Sequence, residues 1–144
     1  MTDLNGGPLG IDTAIFVYFI EENARYFSVI EPLFREIDEG RRKVVTSTLT
    51  LLEVLVVPYR FGNQELAERY EDFLSRSSGV RMIEISRDHL RAAAEVRAAT
   101  GAKTPDALQL AAALGAGCAT FLTNDRRLPV VPGIRILQLD SYVQ

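Results

Sequence analysis

Residues 104–125 have the sequence TPDALQLAAALGAGCATFLTND, and this stretch decides the fold class. Its Thr-Pro pair is typical of a helix start, since proline fits the first helical turn, and it predicts an alanine-rich helix over Thr104–Gly115. The short β-rich run Ala119–Thr123 predicts a buried strand. One acidic residue, Asp106, opens the helix, and another, Asp125, follows the strand. A helix that leads into such a strand is typical of α/β proteins.

The same alternation extends over the rest of the chain. Other short strands are predicted at Leu9–Ile11, Val44–Ser47, Val80–Ile85 and Ile134–Leu137. Helices are predicted over Thr13–Glu22, Ser28–Gly40, Thr50–Val57, Asn63–Arg76 and Ser86–Thr100. Strands separated by helices need crossover connections. The sequence therefore predicts a three-layer α/β fold, with a mainly parallel central sheet and helices on both faces, in one domain over residues 1–144.

Two helix boundaries depend on particular residues. Ser28 and Glu31 have the spacing of a capping box, which predicts that a helix opens at Ser28. Pro58 predicts that the helix after the second strand ends at Val57, because proline lacks the backbone N–H that a helix interior uses.

Composition excludes several kinds of site. Cys118 is the only cysteine and His89 the only histidine, which excludes a disulfide framework and a multi-histidine zinc site. The net charge of −3 gives no bulk attraction to nucleic acid or anionic membranes. The first residues lack a signal-peptide pattern and the apolar window 107–122 is too short to span a bilayer, so we expect a soluble, cytoplasmic protein. The chemistry that remains is that of carboxylates.

Four acidic residues fall at one edge of the predicted sheet. Asp12 follows the first strand, Asp125 the fourth, Asp106 opens a helix, and Glu53 lies in the helix after the second strand. Ligands of open parallel sheets bind beyond the carboxyl ends of the strands. Each acid also has a local interpretation: Asp12 as an N-cap, Glu53 in a capping box with Thr50, Asp106 as a partner of the helix dipole, and Asp125 in a turn with Arg126 or Arg127.

A shared site is the interpretation that explains all four positions together. Carboxylates brought close together repel one another and take up protons or bind a cation. Oxygen ligands without histidine or cysteine select Mg²⁺ or Mn²⁺. Such an ion docks phosphate oxygens and activates a water molecule, which predicts hydrolysis of phosphodiester bonds.

Four segments of the chain resemble PIN-domain nucleases, most closely the VapC-type toxins of toxin–antitoxin modules. These segments are Ile11–Phe16, Ser47–Val54, Thr104–Leu114 and Phe121–Leu128. The resemblance implies a Mg²⁺-dependent endoribonuclease with a VapB-like antitoxin as partner and a homodimer as assembly. It implies a catalytic and metal-binding set of Asp12, Glu53, Asp106 and Asp125, in which Asp12 and Asp106 are direct ligands. It further implies that Thr13 supports Asp12 through its hydroxyl, and that Thr123 and Asn124 orient Asp125 or the metal-bound water.

Other features leave alternatives open. The first strand of the family is normally a longer apolar run than the Gly6–Gly10 segment that precedes Ile11 here. Because the chain is acidic, RNA would need local cations, for which Arg97, Lys103 and Arg126 are candidates. One alternative function is a catalytically silent interaction module with the same fold. Another is a phosphate-transferring receiver or phosphatase, although Ala14 occupies the place of the phosphatase's second aspartate.

Overall fold

Five short parallel strands form the centre of the molecule. The computed structural model describes residues 7–144. The strands are β1 (Leu9–Ile11), β2 (Val44–Ser47), β3 (Val80–Ile83), β4 (Thr120–Thr123) and β5 (Arg135–Gln138). They pair in the order β3-β2-β1-β4-β5, and every pair is parallel. Each strand lies within two residues of its predicted bounds, so the predicted α/β class is confirmed.

Six helices cover the sheet. They are α1 (Thr13–Ile20), α2 (Phe27–Asp38), α3 (Leu49–Arg60), α4 (Gln64–Arg76), α5 (Arg87–Thr100) and α6 (Thr104–Gly115), and a 3-10 helix follows at Leu139–Tyr142. Buried residues of α1 to α4 pack with one set of strand side chains, whereas those of α5 and α6 pack with Val45 and Phe121. Successive residues of a strand point to opposite faces, so the two cores lie on opposite sides of the sheet. The three predicted layers are present.

The central strand β1 is short and tightly enclosed. A Cβ atom at Gly10 would lie 2.7 Å from both the Cβ atom of Ala113 and the Cδ1 atom of Phe121. Glycine is therefore the residue that lets α6 and the neighbouring strand approach this closely. The backbone N–H of Asp12 extends the pairing by donating to Leu122 O at 3.0 Å. A three-residue strand is thus enough to place Asp12 at the carboxyl edge of the sheet.

Two predicted helix boundaries are wrong. α2 begins at Phe27 without a side-chain cap, and Glu31 forms an ion pair with Arg35 at 2.7 Å in place of the predicted capping box with Ser28. α3 continues through Pro58 to Arg60. Proline removes one backbone bond, but so near the end of the helix the remaining turn still closes. Among the residues that the structure describes, no helix combines the length and apolar character that a membrane span requires.

Candidate functional site

Asp12 is fixed through both of its carboxylate oxygens. It is the N-cap of α1, where Oδ1 accepts a hydrogen bond from the backbone N–H of Thr13 at 2.8 Å. Oδ2 accepts one from the Thr123 hydroxyl at 2.6 Å. Burial raises the pKa of Asp12, the two hydrogen bonds oppose the rise, and the negative charge of Asp125 adds to it. The local interpretation as an N-cap is correct and is compatible with a second role.

Asp125 lies just beyond β4 and is held by its own turn. Its backbone N–H donates to Thr123 Oγ1 at 3.0 Å, so a single buried hydroxyl connects Asp12 with Asp125. Its Oδ1 accepts from the backbone N–H of Arg127 at 2.9 Å and from Arg127 Nε at 3.2 Å. These contacts lower the pKa of Asp125. The predicted turn is present, with Arg127 as the partner.

Asp106 completes a group of three aspartates. It stands in the first turn of α6, which has the predicted bounds Thr104–Gly115 and Lys103 as its N-cap. A pocket of about 160 Å³ is lined by Asp106, Asp125, Lys103 and Arg127, among other residues. Burial raises the pKa of Asp106, and the charges of Asp125 and Asp12 raise it further. Three of the four predicted acids therefore interact electrostatically at one edge of the sheet.

Glu53 is connected to this group indirectly, through Thr13. Its exposed side chain on α3 accepts a bond from the Thr13 hydroxyl at 2.6 Å. The prediction that this hydroxyl supports Asp12 is wrong, because it is the backbone N–H of Thr13 that contacts Asp12. The capping box of Thr50 with Glu53 is also wrong, since α3 begins at Leu49 and Thr50 lies inside the helix.

The sequence analysis missed Gln109 as a member of the site. This residue of α6 is 3% exposed. Its side-chain amide forms hydrogen bonds with the side chains of Thr46, Thr50 and Thr13. Burial of an amide is costly unless its hydrogen bonds are made, so such a residue has partners. The available signal was one polar side chain within the otherwise apolar stretch 107–114.

Asn124 does not contact Asp125 through its side chain. Its Oδ1 accepts from the backbone N–H of Asp140 at 3.0 Å, and its Nδ2 donates to the Tyr18 hydroxyl at 3.4 Å. The Asp140 carboxylate in turn accepts a bond from the Tyr26 hydroxyl at 2.9 Å. Asn124 therefore fixes the loop after β4 to the segment at Asp140. Its side chain does not orient Asp125, and the alternative that it orients a metal-bound water stays a prediction.

The three predicted RNA contacts differ in how free they are. Arg97 donates to Ala102 O at 2.9 Å and to Thr104 Oγ1 at 3.0 Å, which fixes the loop between α5 and α6. Arg126 lies 3.7 Å from Asp140 in an exposed ion pair. Lys103 lines the pocket beside the aspartates, where its charge lowers the pKa of Asp125. Of the three, Lys103 is the best placed to meet a phosphate near the acids.

The donor set of this edge suits a hard divalent cation. Its charged groups are carboxylates. Burial raises the pKa values of Asp12 and Asp106, and nearby carboxylates add a smaller rise, so a bound cation would offset both effects. In residues 7–144, however, no three side chains of histidine, cysteine, aspartate or glutamate stand close enough together to hold an ion. Asp125 is also engaged by Arg127. A metal would therefore need side-chain rotation to gather its ligands.

Comparisons with known proteins agree with this architecture. The sequence matches the PIN domain family over residues 10–134, whereas a comparison with curated proteins gives no match. A toxin–antitoxin complex from Klebsiella pneumoniae is 20% identical with a TM-score of 0.67, covering 92% of this chain and 98% of that chain. VapBC2 from Rickettsia felis, bound to a promoter DNA fragment, is 19% identical with a TM-score of 0.61, covering 91% and 98%.

A third similar structure is DNA-bound VapBC from Salmonella typhimurium, which is 17% identical with a TM-score of 0.66 and covers 92% of this chain and 98% of that chain. At these identities the structures establish a common fold. The family match spans β2, β3, β4 and all of β1 except its first residue, and it ends just before β5. It sets aside the receiver and phosphatase alternatives. The chain belongs to the PIN domain family.

Proposed function

We propose that this protein is a Mg²⁺-dependent endoribonuclease and the toxin of a type II toxin–antitoxin module. PIN domains are generally nucleases, so phosphodiester hydrolysis is the broad class of its chemistry. The observation that carries the proposal is the placement of Asp12, Asp106 and Asp125 together at the carboxyl edge of the sheet, where Thr123 links Asp12 to Asp125 and one pocket is lined by Asp106 and Asp125. Mn²⁺ is the expected substitute ion.

The side chains divide the work. Asp12 and Asp106 are the proposed direct ligands of the ion, and Asp125 and Glu53 complete the set. When bound, Mg²⁺ would supply charge neutralisation, a dock for phosphate oxygens and a more acidic water. Thr123 keeps Asp12 in place through their hydrogen bond of 2.6 Å. Glu53, exposed at the rim, accepts the proton of the attacking water.

RNA would reach the acids over a rim that carries cations. Lys103 and Arg127 line the same pocket as Asp106 and Asp125. Lys103 contacts an RNA phosphate next to the acids. Arg126, in the loop after β4, contacts the RNA further along. Arg97 shapes this rim by holding the backbone of Ala102. Local cations thus offset the net charge of −3.

The proposed partner is a VapB-like antitoxin, and the proposed assembly is a homodimer in the cytoplasm. Support comes from the similar structures, which are toxin–antitoxin complexes and of which two include DNA.

The test is RNA cleavage by the purified protein. Single-stranded RNA is incubated with Mg²⁺, with Mn²⁺ and with EDTA, and products are followed on a denaturing gel. Asp106→Asn is expected to abolish cleavage. Asp88→Asn is the matched control, since Asp88 is an exposed aspartate paired with Arg91 on α5. Cleavage in EDTA, or full activity of Asp106→Asn, would reject the metal mechanism.

The second candidate is a catalytically silent interaction module. The observation in its favour is that, within the described residues 7–144, no three potential ligands are gathered around one point. This candidate predicts no cleavage with either ion and no binding of Mn²⁺ by calorimetry. Binding of Mn²⁺ that Asp106→Asn removes would support the nuclease.

A further inference from the structure

A buried amide lies beneath Glu53, and the proposed reaction does not yet use it. We propose that Gln109 is a positioning residue, whose amide directs the hydroxyl hydrogen of Thr13 toward Glu53. The effect on catalysis rests on the proposed nuclease function, whereas the hydrogen-bond network around Gln109 does not depend on it. Gln109 is 3% exposed and contacts β2, so it cannot reach a substrate and affects Glu53 only through the residues between them.

The orientation of the amide is fixed by the backbone. The N–H of Ser47 lies 3.0 Å from Gln109 Oε1. A backbone N–H can only donate, so the atom that faces it must be the carbonyl oxygen of the amide. The amide nitrogen, with its two hydrogens, therefore faces Thr50 at 2.8 Å and Thr13 at 3.4 Å.

The orientation of the amide then determines where each threonine hydroxyl hydrogen points. A threonine hydroxyl has a single hydrogen to donate. That of Thr46 is used on Gln109 Oε1 at 3.1 Å, because the amide oxygen can only accept. The contact of 2.6 Å between the hydroxyls of Thr46 and Thr50 must therefore use the hydrogen of Thr50.

This assignment leaves one direction for Thr13. Thr50 has no second hydrogen to offer across its 3.2 Å contact with Thr13, and its oxygen accepts from the Gln109 amide. The other amide hydrogen faces the oxygen of Thr13. The hydrogen of Thr13 is then directed to Glu53 Oε1 at 2.6 Å. The donors of Ser47, Gln109 and Thr13 thus lead from the backbone of β2 to the carboxylate, whereas Thr50 donates back to Thr46.

The network holds an exposed side chain in a defined place. Glu53 has the rotational freedom of a surface glutamate, and the Thr13 hydroxyl is the hydrogen-bond donor that the described structure gives it. Without the amide, that hydroxyl can turn to Thr50 and release the carboxylate. A displacement of about 1 Å in a reacting group lowers rates by up to about 100-fold. We expect Gln109→Met to lower kcat about 10- to 100-fold and to leave KM for RNA nearly unchanged.

The kinetic test is a double-mutant cycle with matched controls. Gln109→Met has a similar shape but no hydrogen bonds, and it is measured alone and together with Glu53→Ala. Thr13→Val should reproduce its effect, and Thr13→Ser, which keeps the hydroxyl, should restore kcat. Ile134→Ala destabilises the same core away from the acids and controls for general loss of stability. We expect Gln109→Met to cause no further loss in Glu53→Ala. Multiplying losses, or an equal fall of kcat in Ile134→Ala, would overturn the proposal.

A second measurement is independent of catalysis. The ¹³C signal of the Glu53 side-chain carboxyl, assigned by its loss in Glu53→Gln, reports the Thr13 hydrogen bond directly. We expect this signal to shift in Gln109→Met and Thr13→Val, and to stay in place in Thr13→Ser and Ile134→Ala. An unmoved signal in Gln109→Met rejects the positioning role. If the wild type cuts no RNA with either ion, the proposed function fails, and this signal alone decides the role of Gln109.

Discussion

Thr123→Val tests the hydroxyl of Thr123, which links Asp12 to Asp125 and so holds the acidic group together. The substitution keeps the branched shape that suits a buried strand and removes only the hydroxyl. It deletes the 2.6 Å bond to Asp12, which at a charged acceptor contributes about 1.5–3 kcal/mol. It also leaves the N–H of Asp125 without its acceptor at 3.0 Å, at a cost of about 1 kcal/mol for a half-buried group.

Together these losses lower the free energy of unfolding by about 3 kcal/mol and Tm by roughly 10 °C. The assay is urea unfolding followed by circular dichroism, in EDTA at pH 7. Thr123→Ser is the control, because it keeps the hydroxyl and loses one methyl group, which costs about 1 kcal/mol. A valine variant no less stable than the serine variant would refute the reasoning that this hydroxyl joins the two acids.

Three further predictions concern charge and packing. In EDTA at pH 7, Asp106→Asn should raise Tm by about 3 °C, because it removes a partly buried charge that Asp125 and Asp12 also repel. Folding raises the pKa of Asp106 above 3.8. In urea titrations, the extra stability of Asp106→Asn over the wild type should therefore be absent below pH 3.8 and grow as pH rises through the raised pKa. Gly10→Ala should cost about 1–3 kcal/mol in calorimetry, because its Cβ would lie 2.7 Å from Ala113; a wild-type Tm would contradict the enclosure of β1.

The sheet was predictable from sequence because its strands are short apolar runs with clear ends. The prediction for Val44–Ser47 is met at both ends, and that for Leu9–Ile11 likewise. Helix starts were less predictable. The capping-box spacing occurs at Ser28 and at Thr50, and neither box forms. Glu31 pairs with Arg35 one turn further along the same helix, whereas Thr50 turns its hydroxyl toward Thr46 in the core. Local spacing describes what a side chain can do, and long-range packing decides whether it does so.

The candidate site also has one part that the sequence predicts and another that only the structure reveals. The positions of Asp12 and Asp125 follow from strand ends, which sequence patterns locate well. The partner of the Thr13 hydroxyl could not be deduced, because the choice between Asp12 and Glu53 depends on how α3 packs against α1. Gln109 was missed for a related reason. Its partners are Thr13 and the segment 46–50, which are far from Gln109 along the chain, and only the folded structure brings them around one amide.

The central place of β1 sets the order in which a new copy of the protein matures. Its pairing partner β4 and the Thr123 hydroxyl that holds Asp12 are far away along the chain, the latter by 111 positions. Such distant contacts close late, after the intervening segments have been made and have collapsed. A ribosome therefore completes most of the polypeptide before Asp12 has its neighbours. Synthesis of the protein and appearance of its acidic centre are in this way separated in time.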